Sequence, residues 1–145
     1  MGVMDMMSGK ATSETFDRGA VYIVCGCNTE WAIISRFLEV EGGNLTLFQK
    51  QLLKEEASRA RRSAEHYVET MNRPHEHIQL LWAALMQQEE PADVMIMHAY
   101  SRFDSLMLDG EEQMDADERA ERRDLCDKFH AYARPKTPFE LVAAV

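Results

Sequence analysis

Apolar residues recur every three to four positions along most of the chain, the spacing that places them on one side of an α-helix. Between Asn44 and Met71 the series Leu45, Phe48, Leu52, Ala60, Ala64, Tyr67, Met71 predicts one long amphipathic helix, capped at its start by Asn44 and stopped by Arg73-Pro74. Upstream, Phe16, Ala20, Ile23, Cys27, Trp31, Ile34 and Leu38 share one helical face, predicting a helix from about Glu14 to Glu41 that ends at Gly42-Gly43. Val21-Tyr22-Ile23-Val24 also has strand composition, so residues 20–25 are ambiguous. A lone strand would have no partner elsewhere in the chain, which favours the helix.

Residues 74–88 carry Ile78, Leu80, Leu81, Trp82, Ala83, Ala84, Leu85 and Met86, apolar nearly all round, and predict a central helix. A further helix opens at Glu89-Glu90-Pro91 with Val94, Ile96, Ala99, Tyr100, Phe103, Leu106 and Met107. Asp109-Gly110-Glu111-Glu112 reads as a turn into an acid-rich helix reaching about Ala133, with carboxylates at the positive end of the helix dipole. Thr137-Pro138-Phe139-Glu140 combines a Thr cap, Pro at the first position and Glu at the third, predicting a short last helix. The expected fold is therefore all-α: a compact single-domain bundle of about five helices plus a short C-terminal helix. Residues 1–13 are read as a flexible N-terminus and 14–145 as one helical domain.

Composition agrees with this picture. Over 145 residues, 46% hydrophobic and 28% charged content is ordinary for a globular domain and argues against wholesale disorder. Seven Gly and four Pro leave long stretches free of helix breakers. No run approaches the ~20 apolar residues of a membrane span. An odd count of three cysteines makes no disulfide framework and suits a reducing compartment, so a cytoplasmic setting is expected.

Candidate chemistry is sparse. His75-Glu76-His77 places two imidazoles about 200° apart on a helix, unable to share one ion there, and His66, His98 and His130 bear no ligand spacing to them. Cys25-Gly26-Cys27 lacks the two-residue gap of redox and zinc motifs; these thiols and Cys126 read as core. No nucleophile elbow and no Gly-rich phosphate loop occurs, so no catalytic residue and no cofactor is nominated.

Charge says more. The net charge of −9 disfavours a chain that binds nucleic acid over its whole surface. Residues 44–73 hold six bases against four acids, whereas 109–124 hold eight acids against three arginines. Four-residue spacings such as Glu55–Arg59, Arg61–Glu65, Asp115–Arg119, Glu118–Arg122 and Asp124–Lys128 fit ordinary solvated helix faces. The functional alternative is that Arg59, Arg61 and Arg62 contact phosphate or an acidic partner, and that Asp115, Asp117, Glu118 and Glu121 face a basic one. Ten methionines are a further surplus; Met95 and Met97 fall on different helix faces, so one can meet a partner.

The expected function is thus a non-enzymatic interaction protein: an adaptor, regulator or inhibitor that occupies the surface of another protein, such as a nucleic-acid-binding one. A second copy of the chain is also a candidate partner. Direct nucleic-acid binding through the basic stripe of residues 50–62 is the alternative. A small metal-dependent enzyme using His75 and His77 comes third.

Overall fold

The structure, a computed structural model, describes residues 8–71, 80, 87 and 89–142. It is all-α, with no strand among the described residues. The helices are α1 (Ser8–Glu41), α2 (Leu47–Met71), α3 (Glu89–Leu108), α4 (Ala116–Ala133) and the short α5 (Pro138–Val142). The ambiguity at residues 20–25 resolves as helix, and α1 starts at Ser8, ahead of the expected Glu14. Of the helix expected over 74–88, only Leu80, helical and exposed, and Gln87, in a turn, are among the described residues; Trp82 and the His75/His77 pair lie outside them.

A 3-10 turn, Gly42–Asn44, folds α2 back along α1. Val24 of α1 packs with Ala64 and Val68 late in α2, while Phe37 near the end of α1 shares a cluster with Leu52 and Leu53 early in α2. The pair is therefore antiparallel, as a short helix–helix connection demands. Its cap is Thr46 and not Asn44. The Gln49 amide nitrogen donates to Thr46 Oγ1 at 3.1 Å, and the Thr46 amide donates to Gln49 Oε1 at 3.0 Å, a reciprocal capping box.

The buried face of α2 is rotated from the expected stripe. Gln49, Leu53, Ala57 and Val68 join Leu52, Ala60 and Ala64 inside, whereas Phe48 turns outward. Over residues 23–41 of α1 the buried set is Val24, Cys25, Asn28, Thr29, Ile33, Ile34 and Phe37; Ile23 faces out and Trp31 and Leu38 are half-buried. This face is wider than a single stripe because α1 meets α2 on one side and α3, α4 and α5 on the other. Thr29 is accommodated inside by donating its hydroxyl to the Cys25 carbonyl at 2.8 Å.

The centre is aromatic. Phe103 of α3 stacks on Phe129 of α4 at 3.9 Å between ring centroids, and Phe37 of α1 meets both edge-on at 6.0 and 5.2 Å. Each ring is fully buried, worth roughly 1.5–3 kcal/mol of transfer free energy apiece. Cys126 and Leu125 join this core as the sequence implies, and Cys25 is buried farther along α1. Met95 is buried and Met97 is half in solvent, on the same exposed side of α3 as Val94. At the C-terminus the Thr137 amide donates to Glu140 Oε1 at 2.7 Å and the Glu140 amide to Thr137 Oγ1 at 3.3 Å, completing the expected box.

Candidate functional site

The acid-rich segment does not run straight from turn to helix. Gly110 adopts φ +73°, a left-handed conformation that glycine enters without penalty, and a 3-10 turn Glu111–Gln113 follows. Asp115 then caps α4, its Oδ1 accepting the Glu118 amide at 2.8 Å. Three arginines staple the loop to the helix. Arg119 donates to the carbonyls of Met114 and Glu111 (2.8 and 3.2 Å), Arg122 to that of Met107 (2.8 Å), and Arg123 to the Glu111 carboxylate (2.7 Å). Arg119 is thereby diverted from its expected i,i+4 pairing with Asp115.

This scaffold aims the predicted acids outward. Asp115, Asp117, Glu118 and Glu121, with Phe48 of α2, line one open hollow of about 320 Å³. Phe48 reaches it because the first turn of α2 abuts α4: Thr46 Oγ1 donates to both carboxylate oxygens of Glu121, each at 3.2 Å. Gln49, fully buried, donates its side-chain amide to the Glu121 carbonyl (3.0 Å) and to Asp124 Oδ2 (2.9 Å), and its oxygen also accepts from Lys128 (3.1 Å). Those bonds to Gln49 and Lys128 hold the Asp124 carboxyl below the usual carboxylate range. The basic and acidic segments are thus neighbours at this end and not separate poles.

The four acids differ in how far they are neutralised. Glu118 pairs with Arg122 at 2.9 Å. Asp115 serves a backbone amide and Glu121 a hydroxyl, neither of them a cation. Asp117 has no hydrogen-bond or ion-pair partner among the described residues. One guanidinium therefore faces four carboxylates. Arg122 also lies 6.0 Å from the Phe48 ring centroid, so one aromatic–cation contact is already present.

The basic candidates are arranged otherwise. Arg59 is held by Glu56, at 2.8 Å to Nη2, and not by the expected Glu55; it also reaches Glu30 of α1 at 3.7 Å. Arg102 of α3 closes on the same Glu30 at 2.8 Å, making a clasp across three helices. Arg61 pairs with Glu65 at 3.6 Å and lies 5.1 Å from the Trp31 ring centroid. Arg62 is exposed, with no partner among the described residues. Glu30 and Arg102 carried no signal in the sequence, since Glu30 lies 29 positions from Arg59 and 72 from Arg102 and meets them only as the helices fold together.

A second polar cluster also escaped the sequence. His130 Nε2 lies 2.9 Å from both oxygens of Asp104, and Tyr100 Oη lies 3.1 Å from His130 Nδ1. The carboxylate can only accept, so Nε2 carries a proton and donates it to Asp104. Asp104, His130, Cys126, Asp127, Arg123 and Leu108 line an open hollow of about 390 Å³. Burial and the nearby Asp104 carboxylate push the Cys126 thiol up to about 12, and burial alone does the same to Cys25, so neither forms a thiolate at neutral pH. Among the described residues no group of three or more His, Cys, Asp or Glu could hold a metal ion. No helix among them is long and apolar enough to cross a membrane.

No family model matches the chain, and no curated protein or solved structure does either.

Proposed function

We propose that this chain is a non-enzymatic interaction protein that engages a basic protein partner through the acidic start of α4. The observation that carries this reading is the convergence of Asp115, Asp117, Glu118 and Glu121 on one hollow with a single guanidinium, Arg122, among them. Uncompensated carboxylates held on a rigid scaffold create a negative potential that attracts and orients a basic surface. A partner whose basic surface otherwise contacts nucleic acid would be blocked by such an occupant. The basic stripe supports the alternative less well, because Arg59 and Arg61 already have carboxylates and Arg61 a ring to rest on.

The test is a fluorescence-anisotropy titration of the full chain at low salt with two labelled probes, an oligoarginine peptide and a DNA duplex. The peptide is expected to bind with an affinity that falls as salt rises, and Asp117→Asn to weaken it about threefold. Duplex binding that falls steeply with salt and is lost in Arg62→Ala would replace this reading with the nucleic-acid one.

A further inference from the structure

The hollow is not purely acidic. Leu47 and Phe48 open α2, the first 85% and the second 36% exposed, and Phe48 lines the hollow. Leu47 has no evident structural duty: Thr46 and Gln49 make the cap, and a hydrophobic staple would use the residue before the cap, Leu45, which is itself buried. Single exposed leucines are common and need no explanation. This one directly precedes Phe48, whose ring forms a wall of the hollow, and the other walls are the four carboxylates.

A purely cationic partner would leave that apolar step in water, and a nucleic acid would be repelled by the acids around it. About 320 Å³ lies at the small end of ligand-sized pockets, room for one or two side chains and not for a large cofactor. Phe48 already tolerates a guanidinium near its ring, that of Arg122. From charge complementarity and this exposed pair, we infer that the surface receives an amphipathic basic segment of a partner protein. An arginine of that segment enters the hollow between Phe48 and Asp117, and an adjoining apolar side chain covers Leu47. The inference rests on the acidic docking reading above and names what the partner must carry.

Two labelled peptides of equal length and charge test it, one alternating Arg with Leu and the other Arg with Ser, each titrated into the full chain at low salt. The Arg/Leu peptide is expected to bind about tenfold tighter. Leu47→Ser should abolish that preference and leave Arg/Ser binding unchanged, while Asp117→Asn weakens both peptides; circular dichroism should show the helical content of each variant intact. Equal affinity for the two peptides, or a preference that survives Leu47→Ser, overturns the inference while the acidic docking reading stands. A dimer that dissociates on Leu47→Ser overturns it in favour of a second copy of the chain. Failure of both peptides to bind overturns the two readings together.

Discussion

The arginines of α2 and the carboxylates at the start of α4 are both dense runs of charge on helices, yet the structure treats them oppositely. Arg59 is drawn into a clasp with Glu56 and Glu30, and Arg61 is laid beside Trp31 with Glu65 at its guanidinium. Asp115, Asp117 and Glu121 find no cation among the described residues. The difference arises from what lies across from each run. The middle of α2 packs along α1 and presents its arginines to Glu30 and Trp31, whereas the start of α4 meets the N-terminal turn of α2 through Thr46, Phe48 and Gln49, and Lys50 of that turn makes no ion pair among the described residues. A run of charge becomes an internal fastener where a neighbouring helix supplies the opposite sign, and remains available where it does not.

The sharpest way to break this contrast is Glu30→Ala. The side chain is 13% exposed and receives both Arg59 and Arg102, so its removal strands the Arg102 guanidinium and leaves Arg59 with Glu56 alone. A loss of about 2–3 kcal/mol in denaturant unfolding is expected, reduced from the fully buried case because both arginines keep solvent access. A loss below ~0.5 kcal/mol would mean that the clasp is incidental and that Arg59 is as available as the acids.

Asp117→Asn probes the other side. With no partner to lose, its stability should change by under ~0.5 kcal/mol, mostly through the weakened helix-dipole term. A drop of several times that size would place Asp117 among the structural acids and remove it from the docking surface.

A third effect is one of pH. Asp124 is held below its ordinary 3.8 by Gln49 and Lys128, so its charged form stabilises the fold above that value and the benefit fades as pH falls through the lower folded value. Asp124→Asn should therefore be less stable than the parent at neutral pH, by under ~1 kcal/mol since the side chain is half exposed. That difference should shrink below pH ~4, whereas a gap constant from pH 7 to 2 would assign it to lost packing.

Much of the fold was legible without coordinates. Apolar spacing, the Gly42-Gly43 break and the Thr137–Glu140 box locate α1, α2 and α5, because helix formation answers to residues within one or two turns. The buried faces were less well placed. Thr46-Leu47-Phe48-Gln49 is a capping box two residues beyond Asn44, and local pattern does not show that Phe48 faces outward while Gln49 enters the core. The ion pairs four apart divide: Arg61–Glu65, Glu118–Arg122 and Asp124–Lys128 form, while Arg59 turns to Glu56, three apart, and to Glu30 of α1, and Arg119 is taken by backbone carbonyls of the preceding loop.

The sequence by itself determined the helical class, the order of the helices and the acidity of the segment that begins α4, all consequences of short-range chemistry. Only the tertiary structure decided that Glu30 would gather two arginines, that Asp104, His130 and Tyr100 would meet, and that Phe48 would stand among Asp115, Asp117, Glu118 and Glu121. Those meetings join residues from different helices, and the angle and register at which helices pack are settled by the whole core at once.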